Sequence, residues 1–395
     1  GYKGPMPYEL QAPRPGSFYT IHHISDDKVN DFKVNEHNKV NISADANVGE
    51  DFDSRGVWYF ESTHFNDGLF VLDSELRLKN LHTQSYLNAS GLTAEELALN
   101  PAESSTNTIN KEGGAVVTLQ LGSNYLASTT DGKIHANDTK LDAGDTSGEC
   151  DRWYIEEITD RSKVMYSTIV EEGYSTLMLG FTAIIPKEVE AYNGSEDGII
   201  HNKKYLSMQQ YDNNVLSANT PVVLKSVEEG KAVEAKFYYS EIAGIPEDPR
   251  AEDDRYLRGA LWQTVVSSAA IETELGVPSI NIYMLQSGKT GPKMYWIYEE
   301  YEADGTIKDG NANTDNGGHV VCKANKAYIV IPSEEASNRS SFSFYFGEAT
   351  TDIEGVDGAC DEDTLREVYD LQGRKVNNAI APGIYIVNGK KAVVK

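Results

Sequence analysis

Short apolar runs of four to eight residues alternate with Gly, Asn and Asp positions along nearly the whole chain. Phe18-Tyr-Thr-Ile21, Val57-Trp-Tyr-Phe60, Val116-Val-Thr-Leu119, Trp153-Tyr-Ile155, Phe237-Tyr-Tyr239, Ile280-Asn-Ile-Tyr-Met-Leu285, Ala327-Tyr-Ile-Val-Ile331 and Phe342-Ser-Phe-Tyr-Phe346 are the clearest. Runs of this length bounded by turn residues predict β-strands. Helical signals are confined to two short places. Thr93-Ala-Glu-Glu96 reads as a capping box, and Ser267 to Leu275 reads as a helix stopped by Gly276 and Pro278. The fold class that follows is all-β, in several modules.

Before residue 160 the strands repeat. Gly56-Val-Trp58-Tyr-Phe-Glu61 and Asp151-Arg-Trp153-Tyr-Ile-Glu156 end alike, and Ser85-Tyr86-Leu87 matches Asn124-Tyr125-Leu126. Strand openings recur at Phe18, Leu76 and Val116, which makes three units of about 40–50 residues. Three four-strand units closing on one another are how a β-trefoil removes its sheet edges. The motifs resemble the ricin-type β-trefoil pattern over residues 17–160, leaving 1–16 as a linker. The second unit has no clear Trp, and Gln-x-Trp is absent. Trp58 and Trp153 are therefore expected in the core, not as sugar platforms. The resemblance implies a ligand site in the loops after the Tyr-Leu hairpins, with Asn88, Asn124, Asp131 and His135 as candidates and His22 and His23 nearby. Asn and Asp supply bidentate hydrogen bonds to sugar hydroxyls, but no aromatic ring is evidently placed beside them.

Residues 164–350 carry a duplication. Ser217-Ala-Asn219-Thr-Pro-Val-Val-Leu-Lys225 aligns with Lys323-Ala-Asn325-Lys-Ala-Tyr-Ile-Val-Ile331 at an offset of 106. A Tyr-bearing strand precedes each, Val189–Tyr192 and Asn281–Tyr283. Asn before a strand supplies a turn residue that tolerates left-handed dihedrals. Gly173 to Phe181, Ile185-Pro186, Val189 to Tyr192 and Leu216 to Lys225, in that order, resemble a module of secreted Bacteroidetes proteins. That resemblance implies two ancillary β-sandwich units, 164–245 and 255–350, with no catalytic group to transfer. Ile245 to Asp254 reads as the polar link between them.

From Leu371 to Lys395 there are no acidic residues and five basic ones. Glu367 to Val376 reads as strand, turn, strand, and Pro382 to Lys391 as a hairpin with Asn388-Gly389 at a type I′ turn. Residues 368–395 resemble the C-terminal sorting region of Bacteroidetes secreted proteins, related to the type IX secretion signal. The resemblance implies export or surface retention for a short module over 353–395. Asp363-Thr364-Leu365 matches the short O-glycosylation pattern of such proteins.

Composition narrows the function. With 61 acidic and 35 basic groups in 395 residues, the net charge of −26 argues against a nucleic-acid or anionic-membrane binder. Cys150, Cys322 and Cys360 form no CxxC pair, which speaks against structural zinc and against a disulfide framework. No GxSxG elbow, HExxH helix or Gly-rich phosphate loop is present. Asp309 to Asp315 alternates oxygen ligands like a Ca²⁺ loop, but lacks the sixth-position Gly and has Val320 at the twelfth. Asp45 to Asp53 is a second acidic loop. No positively charged apolar leader opens the chain, so Gly1 is expected to follow a processing site or a tag. The reading is an all-β protein: a β-trefoil, two β-sandwich-like units and a short C-terminal β-hairpin module. It is expected at the cell surface or secreted, as a monomer without cofactor or metal. It is expected to bind a glycan or host glycoprotein without catalysis. The alternative is the C-terminal ancillary region of a larger secreted peptidase or glycoside hydrolase.

Overall fold

The computed structural model describes residues 16–25, 28–43, 51–62, 76–88, 97–100, 107–113, 116–128, 133–141, 149–171, 173–194, 200–201, 205–211, 214–228, 230–241, 256–288, 291–297, 321–337, 339–346, 368–370, 383–387 and 390–394. The chain is all-β, as expected, and divides into two compact units, residues 1–346 and 347–395.

The first strands are β1 (Phe18–Ser25), β2 (Lys28–Val34), β3 (Lys39–Ser43), β4 (Phe52–Asp53), β5 (Trp58–Ser62), β6 (Leu76–Asn80) and β7 (Tyr86–Leu87). They continue with β8 (Leu97–Asn100), β9 (Asn107–Gly113), β10 (Val116–Leu121), β11 (Asn124–Ser128), β12 (Ile134–Asn137) and β13 (Trp153–Ile158). Six of them pair antiparallel in a closed ring, β1-β5-β6-β9-β10-β13 and back to β1. Three hairpins hang from the ring: β2–β3 beside β1, β7–β8 beside β6, and β11–β12 beside β10. Ring closure gives each of the six strands a partner on both sides, through short contacts at β6–β9 and β10–β13.

The two-residue alternation explains what fills the ring. Tyr19 and Ile21, Trp58 and Phe60, Val117, Leu119 and Leu121, and Trp153 and Ile155 all turn into one core, capped by Phe32, Val40, Leu87, Leu126 and Ile134 from the hairpins. Trp58 and Trp153 are both fully buried, as expected, and their indoles donate to backbone carbonyls. Trp58 Nε1 donates to Phe32 O at 2.9 Å and Trp153 Nε1 to Leu126 O at 3.0 Å, reaching back 26 and 27 residues respectively. The repeat seen in the sequence is thus a repeat of bonding geometry.

The opposite faces of the same strands build a second core. Phe18, Val57, Leu81 and Ile158 pack with Val164, Leu177, Phe181, Leu216 and Phe237, so apolar packing runs without a break across residues 160–164. β4 adds backbone bonds there, lying parallel to β14 (Val164–Val170) with Phe52 opposite Val164.

Strands β15 (Tyr174–Leu177), β16 (Ala183–Ile184), β17 (Val189–Gly194), β18 (Ile200–His201), β19 (Tyr205–Gln210), β20 (Val215–Leu216), β21 (Val222–Ser226) and β22 (Val233–Tyr239) follow. The second copy holds β23 (Leu257–Ala260), β24 (Thr264–Val265), α1 (Ser268–Leu275), β25 (Ile280–Gly288), β26 (Gly291–Ile297), β27 (Val321–Cys322), β28 (Lys326–Pro332), α2 (Ser333–Ala336) and β29 (Ser341–Tyr345). The duplication is a duplication of pairing: β15-β21-β17-β19 in the first copy and β23-β28-β25-β26 in the second; the first copy adds β20-β16-β22-β14-β4 beside it and the second the pair β24–β27. Asn219 and Asn325 both adopt left-handed backbone, with φ of 60° and 55°, as the aligned turns predict. Ser267 caps α1 and Gly276 ends it at φ 67°, also as predicted. The copies share one sheet, because β19 and β29 pair in parallel and join the two strand sets edge to edge. The far ends of that sheet also meet. Ala327 N donates to Thr176 Oγ1 at 3.0 Å, and Asn325 Nδ2 donates to Met178 O at 3.1 Å.

In the second unit, β30 (Val368–Asp370), β31 (Gly383–Val387) and β32 (Lys390–Val394) form a three-stranded antiparallel sheet. Val387 lies opposite Lys390, which leaves two residues for the connection. Asn388-Gly389 itself lies outside the described residues, as do the capping box at 93–96, the polar link at 245–254, the acidic run at 309–315, Cys360 and the 363–365 motif.

Two outcomes follow from the shared core. Denaturant unfolding is expected to move emission from Trp58 and Trp153 in the same transition as emission from Trp262 and Trp296 in the second copy. Gly180→Ala puts a Cβ into the carbonyl oxygen of His82. It is expected to lower stability by about 1–3 kcal/mol in the same titration.

Candidate functional site

Among the described residues, three of the four expected to form the ligand site fall at different elements. Asn88 is buried just beyond β7. Asn124 is half-buried at the turn into β11, opposite Leu121. His135 lies on β12 opposite Ala127, with Nε2 at 3.4 Å from Glu149 Oε2, and Asn137 Nδ2 donates to the same carboxylate oxygen at 3.2 Å. Asp131 lies outside the described residues. His22 is buried, stacks on Tyr154 at 4.4 Å and has Nε2 at 2.7 Å from Thr20 Oγ1. The side chain of His23 is outside the described residues.

A different cluster forms on the concave side of the shared sheet. Four strand spacings separate β15 from β29, about 19 Å if the sheet were flat. Yet the rings of Tyr174 on β15 and Phe344 on β29 have centroids 5.3 Å apart. The sheet therefore curls tightly enough to bring those strands face to face. Phe346 stacks on Tyr174 at 5.6 Å with an interplanar angle of 11°, and lies 4.4 Å from Tyr192 and 5.7 Å from Phe344. Tyr174, Phe344 and Phe346 are half-buried, and Tyr192 closes the floor.

Polar groups edge this aromatic face. Lys225 on β21 pairs across the strands with both Tyr174 and Glu190, and its Nζ sits 5.0 Å from the Phe346 centroid. Tyr192 OH donates to Glu190 Oε2 at 2.7 Å. Burial and that carboxylate push the Tyr192 phenol well above its ordinary range, so it stays a donor. One acceptor and one cation stand side by side against stacked rings. Such an arrangement presents an apolar surface with hydrogen-bonding groups at its edge.

The other ionisable groups serve the architecture. Asp53 caps the short turn Ser54–Gly56 and forms ion pairs with Arg55 at 2.6 Å and Lys33 at 3.7 Å. Asp51, at the end of the acidic run 45–53, accepts from Tyr238 OH at 3.1 Å. Lys326 Nζ donates to Ser175 Oγ at 2.9 Å, fastening β28 to β15. Burial, with Lys323 nearby, lowers its amine below the usual lysine value. Burial pushes the Cys322 thiol up to about 12. No group of three or more His, Cys, Asp or Glu suited to a metal ion occurs among the described residues.

Sequence reasoning passed over the aromatic face. The signal was the alternation Phe342, Phe344, Phe346, which places three rings on one side of a strand. The strands that complete it lie more than a hundred residues earlier.

No family model matches the chain, and no curated protein matches it. A solved structure of a mosquitocidal holotoxin resembles it with a TM-score of 0.26 at 11% identity, over 84% of this chain and 44% of the toxin chain. The chain thus spans less than half the length of that structure.

Cys322 carries about a thousandfold less thiolate at pH 8 than an unperturbed thiol. In the native protein it is expected to resist iodoacetamide, and to alkylate once the chain is unfolded, as peptide mass mapping will show.

Proposed function

We propose that this chain is a non-catalytic carbohydrate-binding protein of the cell surface or the secreted fraction, with the Tyr174–Phe344–Phe346 face as its ligand platform. The observation that carries this reading is the stacked aromatic face edged by Glu190 and Lys225. Pyranose rings bury their axial C–H faces on aromatic rings and satisfy their hydroxyls at the edge. Glu190 and Lys225 supply an acceptor and a donor whose charges cancel. That pairing suits a neutral sugar, as does a protein of net charge −26, which repels polyanions.

In this reading residues 17–160 are a β-trefoil. The six-strand ring, its three hairpins and the matching indole bonds of Trp58 and Trp153 support that assignment. The trefoil serves as a scaffold fused to the platform, with Trp58 and Trp153 both committed to its core. The basic tail over 368–395 is then the export or retention element that its resemblance implies.

Affinity electrophoresis through gels containing neutral plant, microbial or mucin-type polysaccharides tests the reading. The wild-type chain is expected to be retarded by at least one of them. Tyr174→Ala and Phe346→Ala are each expected to weaken that retardation about tenfold, and Asn124→Ala to leave it unchanged. Absence of retardation by every polysaccharide, or equal retardation of the platform variants, contradicts it.

A further inference from the structure

Three segments far apart in sequence meet at one buried imidazole. His82 follows β6 of the ring, and its neighbour Leu81 belongs to the core shared with residues 164–239. Its Nε2 lies 2.8 Å from Asn325 Oδ1 in the second copy, and its Nδ1 lies 2.8 Å from Ser54 Oγ in the first region. The first copy completes the contact: the ring of Tyr166 lies 5.0 Å away, and the His82 carbonyl presses on Gly180 so closely that no Cβ fits there. Ser54, His82 and Asn325 are all buried.

The surrounding bonds define the proton. Asn325 Nδ2 donates to Met178 O at 3.1 Å, so the amide oxygen must face the imidazole. An amide oxygen accepts, so Nε2 carries the hydrogen and Nδ1 accepts from the Ser54 hydroxyl. Neutral imidazole satisfies both partners. A second proton at Nδ1 would displace the hydrogen of Ser54 and leave a cation in a dry junction.

We propose that His82 is an acid-operated latch that holds the ring of residues 18–158 against the sheet of residues 164–346 and releases it when the imidazole is protonated. This goes beyond the carbohydrate reading and does not depend on it.

The charged and titratable groups around the latch are Asp53 and Arg55 on the turn that carries Ser54, Lys33 beside Asp53, and Tyr166 on β14. Asp53 favours the imidazolium and Arg55 opposes it, while burial outweighs both and holds His82 at about 4, against an ordinary 6.5. Because the closed state has the lower value, it is fully favoured above pH 6.5 and loses ground as pH falls toward 4. Full release of the imidazole weakens closure by about 80-fold over that window, and by about twentyfold between pH 7 and 5.

Hydrogen exchange of the whole chain, read by mass spectrometry and corrected for the intrinsic pH dependence, tests this. Peptides spanning 78–84, 176–182 and 322–328 are expected to open about twentyfold more at pH 5 than at pH 7. Peptides spanning 116–121 in the ring are expected to stay unchanged. His82→Gln is expected to flatten the response. Asn325→Asp, which sets a carboxylate against Nε2, is expected to reverse it. Junction peptides that follow the ring peptides at every pH, or an acid response that survives His82→Gln, overturn the proposal.

Discussion

Everything in the first unit depends on satisfying backbone hydrogen bonds by closure. A sheet that curls must end somewhere, and an exposed edge is a row of unpaired donors and acceptors. In residues 18–158 a six-strand ring supplies each of its strands with a partner on both sides. In residues 174–345 the solution is partial. The shared sheet curls until β15 approaches β28, and side chains span the seam where backbone bonds run out. Thr176 accepts from Ala327 N, and Lys326 reaches Ser175. Asn325 reaches Met178 and, through its oxygen, His82. The seam between the two copies and the junction with the ring therefore share one asparagine.

That closure also creates the aromatic face. Tyr174 lies at the start of β15, and only the curl brings it onto Phe344 and Phe346. The same residues on a flat sheet would be separate, half-exposed rings of no consequence. Curl gathers them into one contiguous cluster of tilted and stacked rings, and the cross-strand pair of Glu190 and Lys225 falls at its edge because β17 and β21 are neighbours. The thiol and the amine that could attract chemical interest lie elsewhere. Cys322 is buried, and Lys326 is engaged in the seam.

Local chemistry was legible in the sequence where one residue decided it. Asn219 and Asn325 announced left-handed turns because few other side chains tolerate them. Ser267 and Gly276 marked the two ends of α1. Trp58 and Trp153 read as core because no Gln-x-Trp motif accompanies them, and both are fully buried. The aromatic cluster was not legible. Alternation tells which residues share a face of a strand but not which strand lies opposite, and Phe344 meets a tyrosine 170 residues away. Of the hairpin asparagines read as ligand groups, Asn88 is buried and Asn124 is half-buried. The duplicated halves looked like separate modules because each carries a full set of strands. The parallel pairing of β19 with β29, which merges them, leaves no mark in either strand alone.

The most direct test of the account is to observe the rings themselves. Phenylalanine labelled with ¹³C gives eleven side-chain signals, and these can be followed by NMR while a neutral oligosaccharide is added. The account predicts saturable shifts at Phe344 and Phe346, with Phe32 and Phe60 inside the ring core unmoved. Shifts confined to the ring, or none at a concentration where the sugar is bound, would contradict it.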